Sequence, residues 1–431
     1  MASRAATVRP VTAQKTVVVG QGYVGLPVAM AAVRAGYDVT GIELNEARAK
    51  ALQDGDSYIE DISSDTLAEA LATGRYRAST TFDAAAGFDV AVISVPTPLA
   101  DGVPDLTYIE SAAASLAPHV TVGSTVILES TTYPGTTEEL VGPILEAGSG
   151  LAVGADFHLG YSPERIDPGN ATYTLENTPK VVSGVDDASL DKVDEFFSAL
   201  VDQTVRVPGC KEAELTKLLE NTFRHVNIAL VNELAMFAAD LGVDVWASID
   251  AASTKPFGYM RFTPGPGVGG HCLPIDPSFL SWRVKRSLGV DFRFVELAND
   301  VNEHMPDFVV RRLMLALNAR QRAVSGSRIL LLGLAYKPNT SDARETPSTR
   351  VAQLLTDLGA ELAAADPHVA PDAFGVPVER VELTAEELEA ADVVVLICDH
   401  DAFDYDLVAR HAVHVLDCRN RMPTADNVER L

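Results

Sequence analysis

The sequence predicts an α/β protein in which two strand-and-helix halves are joined by a long central helix and a helical middle region. Three observations predict it. A β-branched strand runs into a glycine-rich turn near the start, the stretch from Lys211 to Leu241 holds neither proline nor glycine, and a second apolar strand, Arg328-Ile329-Leu330-Leu331-Leu332, ends in Gly333. A chain of 431 residues has room for two or three domains.

The elements follow in order. Thr16-Val17-Val18-Val19 reads as a short strand, and Gly20-Gln21-Gly22-Tyr23-Val24-Gly25 follows it. A helix of small residues from Leu26 to Ala35 comes next, closed by Gly36, and then a strand from Tyr37 to Ile42 that ends at Glu43. This is a βαβ unit of dinucleotide-binding length. Later strands, Asp89–Val95 and Thr125–Leu128, stop at Pro96-Thr97-Pro98 and Glu129-Ser130-Thr131. The alternation continues to about residue 208 and predicts a mostly parallel sheet.

From Lys211 the apolar residues recur at helical spacing, with Gly242 as a C-terminal stop. Residues 243 to 270 are rich in glycine and proline, and a further helical stretch covers Val295 to Arg320. Near the C-terminus, Ala391–Ile397 echoes Phe88–Ile93, so the two ends read as two Rossmann-like halves. The second half has no GxGxxG, and its ligand site must be built differently.

Composition excludes several functions. With 60 acidic against 34 basic residues the formal charge is −26, a field that repels nucleic acid and anionic membranes alike. Any phosphorylated ligand must be met by local cations or main-chain N–H groups. The four cysteines fall in no zinc-like or disulfide-scaffold spacing. Met1 to Gln14 lacks the apolar core of a signal peptide, and no apolar run approaches a membrane span. The expectation is a cytoplasmic location with free thiols and no metal.

In the glycine motif Gly20 permits the tight turn, Gly22 lets main chain approach a pyrophosphate, and Gly25 permits close helix–strand packing. The helix N-terminus offers N–H groups to phosphates. Glu43 is placed to accept hydrogen bonds from an adenosine ribose and favours NAD over NADP, although Arg48 lies near enough to keep NADP in play. The bland alternative is an ordinary glycine turn, which the strand before it and the helix after it oppose.

Cys272 follows the glycine-rich loop and precedes Leu273-Pro274-Ile275-Asp276-Pro277. A thiolate there would be a nucleophile towards aldehydes; a buried structural cysteine is the commoner reading, but such cysteines rarely sit inside Gly/Pro-rich loops, where this sequence places Cys272. Cys398 and Cys418 border apolar strands and read as packing residues, while Cys210 carries no distinguishing chemistry. His271 adjoins Cys272, but neighbouring side chains point apart and no further ligand cluster lies close in sequence. Lys217, Asn221 and Arg224 share one helical face. From spacing alone, a solvated stripe and an oxyanion-stabilising row are equally good readings.

Taken together, Gly20–Pro27, Val95-Pro96-Thr97-Pro98, Ser130-Thr131, Ser162-Pro163-Glu164, Lys217–Asn221, Gly269-Gly270-His271-Cys272 and Gly333-Leu334-Ala335-Tyr336-Lys337 occur in order. The chain resembles the UDP-glucose/GDP-mannose 6-dehydrogenase family over nearly its whole length. The resemblance implies an NAD domain over residues 1–210, a central helical and dimerisation region carrying the cysteine over 211–320, and a nucleotide-sugar domain over 321–431. It implies an NAD-dependent, four-electron oxidation of a sugar CH2OH to a carboxylate by a homodimer. Cys272 would form a thiohemiacetal and then a thioester. Lys217 and Asn221 would stabilise oxyanions, Asp276 would help orient or deprotonate a water that Thr131 holds, and Glu164 would act as general base for thioester hydrolysis. Gly20, Gly22, Tyr23, Val24, Gly25, Glu43, Arg48, Pro96, Thr97, Ser130 and Thr131 would line the cofactor. Glu164, Arg165, Lys217, Asn221, Arg224, Tyr259, Arg261, Gly269, Lys337 and Arg344 would contact the nucleotide-diphosphate sugar.

The segment Gly258–Cys272 and the run Phe223–Ala229 resemble the branch acting on UDP-N-acetylhexosamines. UDP-N-acetylglucosamine is the first expectation, its manno epimer the second, with UDP- or dTDP-glucose behind. The rivals are a single-step dehydrogenase and a non-catalytic nucleotide-sugar-binding protein.

Overall fold

The computed structural model describes residues 14–100, 102–167, 170, 172–270 and 272–431, with only the main chain of Cys272 and Pro274. The N-terminal segment read above as lacking a leader, and His271, lie outside the described residues. The chain divides into two compact units, Met1–Glu220 and Asn221–Leu431.

The strands of the first unit are β1 (Lys15–Val19), β2 (Asp38–Ile42), β3 (Tyr76–Ser79), β4 (Val90–Ile93), a small hairpin β5 (Leu99–Ala100) and β6 (Val103–Pro104), β7 (Thr125–Leu128), β8 (His158–Tyr161), β9 (Lys180–Gly184) and β10 (Thr204–Arg206). Eight of them form one sheet in the order β10-β9-β8-β7-β4-β1-β2-β3. Pairing is parallel throughout except between β8 and β9. The run of valines in β1 and β4 has the composition of strands covered on both faces, and Val17–Val19 and Val90–Ile93 are buried. Strand order reverses beside β1, with Val19 level with Ile42 on one side and Ile93 on the other. Ligands of such sheets bind at the carboxyl ends of the strands at that point. The helix Gly25–Ala35 leaves it, closed by Gly36 at φ 98°.

The second unit holds β11 (Arg328–Leu332), β12 (Glu361–Ala365), β13 (Glu379–Arg380), β14 (Val393–Leu396), β15 (Val415–Asp417) and β16 (Val428–Arg430), all parallel, in the order β13-β12-β11-β14-β15-β16. Counted from β11 this repeats the strand order about β1. The sequence echo is thereby explained, because β4 and β14 each pair with the first strand of their sheet. Alternate residues feed two cores: Ile329, Leu331, Val393 and Val395 one, Leu330, Leu332, Val394 and Leu396 the other.

One helix, Cys210–Leu241, runs 32 residues across the division between the units. It ends as expected at Gly242 (φ 67°), whose N–H donates to the Ala239 carbonyl while that of Val243 donates to Ala238.

Three details differ from the sequence reading. The glycine- and proline-rich stretch contains a helix, Val245–Ser253, because Asp244 accepts from the N–H groups of Trp246 and Ala247 and nucleates its first turn. The stretch from Val295 to Arg320 is two helices, Arg293–Glu303 and Met305–Ala319, since Pro306 lacks the N–H a continuous helix needs and starts a new one. Cys272 is not within a loop but is the first residue of the helix Cys272–Leu288. Pro274 there falls in the first turn, where its missing N–H costs little.

Candidate active site

The cofactor half is built around the turn after β1. A Cβ on Gly20 would lie 2.4 Å from the Ser94 carbonyl oxygen, and one on Gly25 only 1.9 Å from that of Gly20, so neither position admits a side chain. A Cβ on Gly22 would meet nothing within 4 Å: the open side of the turn is here, where a pyrophosphate must approach. Tyr23 and Val24 complete the turn, and no side chain caps the helix that follows. Leu26 gives its N–H to the Gly22 carbonyl and Pro27 has none, so an anion must be met by the main chain of the turn itself, Gly22 to Gly25.

Gln21, which the sequence reading passed over, is the organiser. It is fully buried; its amide donates to the Val18 carbonyl at 2.9 Å and accepts from the Tyr76 hydroxyl at 2.8 Å. The Tyr58 hydroxyl donates to its main-chain carbonyl at 2.7 Å. The middle position of a glycine motif was the available signal, but partners that lie 55 and 37 residues away were not.

Glu43, half-buried at the end of β2, accepts from the Asn45 N–H. The Arg48 guanidinium lies 5.3 Å over the Tyr58 ring. Across the switch point Ser130 donates to the Val95 carbonyl at 2.8 Å, fixing the strand end that leads into Pro96 and Thr97. These residues fit NAD: a glycine cradle, a helix N-terminus and a carboxylate at the second strand end.

Beyond β8 the same unit holds a cluster that sequence spacing could not assemble. Lys180 bonds the carboxylates of Glu129 and of Glu164, the latter at 3.0 Å, and all three residues are buried. Two carboxylates share one ammonium in low dielectric, so their protons are unequally held. Glu129 is raised, chiefly by burial, with Lys180 opposing and Glu164 reinforcing. Glu164 is held below the usual range although burial alone would raise it; Lys180 is the main cause, helped by Lys217 and the N–H of Ile166. Lys217 is buried and donates to the Glu164 main-chain carbonyl at 2.5 Å, which brings two predicted residues together. Arg165 is engaged elsewhere, with Glu220 at 2.7 Å and the Pro179 carbonyl at 2.6 Å. Thr131 is half-buried on the loop after β7. That loop is held by the buried Glu214, which accepts from the N–H groups of Gly135 and Thr137.

In the second unit Asn221 donates to the buried Asp276 carboxylate at 2.5 Å, joining two more predicted residues. Asp276 stands one turn after Cys272 on the same helix. The glycine run before Cys272 is shaped by the protein itself. A Cβ on Gly269 would lie 2.6 Å from the Glu345 carbonyl oxygen, and one on Gly270 2.7 Å from the Tyr336 ring. Upstream, buried Asn232 accepts from the Gly265 N–H and donates to Asn302, pinning the loop to the long helix. Arg224 is exposed, Tyr259 is at the surface, and Arg261 pairs with Asp250 at 2.6 Å. Lys337 is half-buried on the loop after β11, and Arg344 makes a two-pronged pair with Asp342. The cysteine loop and the Lys337 loop therefore touch through Tyr336.

The thiols of Cys210, Cys398 and Cys418 are free and buried. Burial pushes Cys210 and Cys398 up to about 12 and Cys418 higher still. None is a nucleophile near neutral pH. Among the described residues, no helix is long and apolar enough to cross a membrane.

Comparison with known proteins agrees with this geometry. Residues 14–201 match the NAD binding domain of the UDP-glucose/GDP-mannose dehydrogenase family, residues 211–304 its central domain and residues 330–424 its UDP binding domain. A UDP-N-acetyl-D-mannosamine dehydrogenase of Pyrococcus horikoshii is 35% identical over 409 residues, 94% of each chain. The enzyme of that name from Escherichia coli K12 is 35% identical over 402 residues, 90% of this chain and 93% of the other. Among solved structures, the P. horikoshii UDP-D-ManNAc dehydrogenase superposes with a TM-score of 0.88 at 32% identity, covering 97% of this chain and 99% of that one. A UDP-glucose dehydrogenase from Pyrobaculum islandicum gives 0.86 at 29% identity, covering 98% and 97%. The chain belongs to the UDP-glucose/GDP-mannose dehydrogenase family, and it is an NAD-dependent nucleotide-sugar dehydrogenase.

Proposed function

We propose that the protein oxidises the C6 alcohol of a UDP-N-acetylhexosamine to the uronic acid in two steps, with Cys272 as nucleophile. UDP-N-acetyl-D-mannosamine replaces the gluco epimer as the first candidate. The observation that carries this choice is the full-length similarity, 94% of both chains, to an enzyme of that name.

The Gly20–Gly25 turn and Glu43 would hold NAD, which would supply the hydride acceptor for each oxidation. The chain supplies the rest. Lys217 and Asn221, one turn apart on one helix, stabilise the alkoxide of the first oxidation and the oxyanions that follow. Attack of the Cys272 thiolate on the aldehyde forms a C–S bond, and the carbonyl oxygen takes a proton to give the thiohemiacetal. Loss of a second hydride and that proton leaves a thioester. Water, oriented by Asp276 and Thr131 and deprotonated by Glu164, adds to the thioester; the C–S bond breaks and returns the thiolate. The start of a helix suits this residue, because the positive end of the helix dipole favours a thiolate. Lys337 and Arg344 supply positive charge for the diphosphate, against the acidic surface.

Incubation with NAD and UDP-N-acetylmannosamine, UDP-N-acetylglucosamine, UDP-glucose or dTDP-glucose tests the proposal by NADH formed per sugar consumed. Two NADH and a uronic acid are expected, fastest with the manno substrate. One NADH per sugar would remove the thioester half. Cys272→Ser is expected to form no thioester and to lose at least about a thousandfold in acid formation; normal acid formation by that variant would remove its covalent role.

A further inference from the structure

In the first half-sheet the acid ending the second strand, Glu43, is half-buried and available to a ligand. The corresponding acid of the second half-sheet is Asp366, directly after β12, and it is turned inward on its own chain. One carboxylate oxygen accepts from the main-chain N–H groups of Leu334 at 2.6 Å and Ala335 at 3.2 Å and from the His400 ring at 3.0 Å. The other accepts from the N–H groups of His368 and Val369, each at 2.8 Å. Burial alone would raise this carboxyl, but His400 and the surrounding N–H groups hold it well below the carboxylate range.

His400 completes the arrangement from the opposite side. Its Nδ1 faces the main-chain N–H of Asn339 at 2.9 Å. An N–H can only donate, so Nδ1 carries a lone pair, and Nε2 carries the hydrogen given to Asp366. The ring is fully buried, with His368 at 4.8 Å and Phe403 at 5.4 Å between centroids. The loop from Gly333 to Asn339 is therefore gripped at both ends: at Leu334 and Ala335 by Asp366, and at Asn339 by His400. Asn339 holds a left-handed conformation (φ 59°) and exchanges two further bonds with Asp401. Between the grips lie Tyr336, against Gly270, and Lys337.

We propose that Asp366 and His400 are positioning residues for nucleotide binding: they lock one His400 tautomer and hold the Gly333–Asn339 loop in the shape that presents Lys337 to the diphosphate. This rests on the reading of that loop as the nucleotide grip. It accounts for how the second half-sheet builds a ligand loop without a GxGxxG turn. The loop is braced by a side-chain pair from beyond the two strands that flank β11, where the first half-sheet uses glycine and a helix N-terminus.

His400→Phe keeps the ring and its packing and removes both polar contacts; His400→Gln is the milder variant. UDP is titrated into the full-length wild type and both variants by calorimetry, and KM is measured for the nucleotide sugar and for NAD. The expectation for His400→Phe is about tenfold weaker UDP binding and a matching rise in sugar KM, with NAD KM within about twofold. His400→Gln falls between. The 15N spectrum of wild-type histidines at pH 7 should hold one ring, absent from the variants, with Nδ1 unprotonated and Nε2 protonated. UDP binding unchanged in His400→Phe, or in His400→Gln should the first not fold, would overturn the proposal; so would a His400 protonated at Nδ1. Failure of the wild type itself to bind UDP, with the tautomer as described, would instead remove the nucleotide reading of the loop on which the proposal stands.

Discussion

Glu129 shares Lys180 with Glu164 deep beside the switch-point sheet, and its Oε2 meets no hydrogen-bond partner among the described residues. Its carboxyl is pushed up to about 8, foremost by burial, from an ordinary value of 4.5. The folded protein thus binds a proton that the unfolded chain has released, across the window between those values. Stability from this group is complete below 4.5 and lost as pH rises through about 8. Glu129→Gln cannot titrate. Its melting temperature should therefore fall less than that of the wild type between pH 5 and 8, the difference in slope being at most about 1.4 kcal/mol per pH unit. Parallel curves in a thermal scan would mean that Glu129 is ionised throughout. The thiols give a second check at this scale. With Cys210, Cys398 and Cys418 buried and raised, brief iodoacetamide treatment at pH 7 should label Cys272 first, as read by peptide mass. Equal labelling of Cys398 would contradict the burial argument.

At the scale of elements the two glycines of the cofactor turn separate steric need from ligand need. Gly25→Ala drives a methyl into the Gly20 carbonyl, a main-chain atom that cannot step aside, and should cost about 2 kcal/mol or more of stability along with NAD binding. Gly22→Ala meets open space, so the free protein should melt within about 0.5 kcal/mol of the wild type. Its NAD KM should still rise about tenfold or more as the methyl obstructs the pyrophosphate. An unaffected NAD KM in Gly22→Ala would show that the cofactor does not approach there. This turn, its flanking strand and the Gly242 helix stop were legible in the sequence because each is fixed by residues a few positions apart. The Gln21–Tyr76, Lys180–Glu129 and Asp366–His400 contacts were not, since strand order alone decides which distant segments meet. The unbroken helix expected through His304 was a different kind of miss: the local signal, Pro306, was present, and the apolar periodicity on both sides concealed it. Cys272 likewise read as a loop residue because glycines crowd its N-terminal side, whereas the helix starts at the cysteine itself.

At the scale of the whole molecule the long helix raises the question of what covers it. Leu215, Leu219, Phe223, Leu230, Leu234, Phe237 and Leu241 are all exposed. They recur every three or four residues, with one longer step, and so form one stripe along a helix of 32 residues. At 1.5 Å per residue the stripe from Leu215 to Leu241 is roughly 40 Å long, and contiguous bare apolar patches on a surface mark interaction sites. A net charge of −26 opposes association of two copies, so an apolar seam is the feature able to overcome it. The homodimer that the family resemblance implies would bury this stripe against a second copy of the chain, and the stripe is where that expectation is tested. Replacing Leu230, Leu234 and Phe237 together by Glu places like charges along the seam while leaving the buried face, Val231, Ala235 and Ala238, unchanged. Light scattering behind a sizing column should give twice the chain mass for the wild type and the single chain mass for the triple variant, with helical circular dichroism retained. A wild type at the single chain mass, or a triple variant still at twice it, would mean that something other than a second copy against this stripe covers the helix.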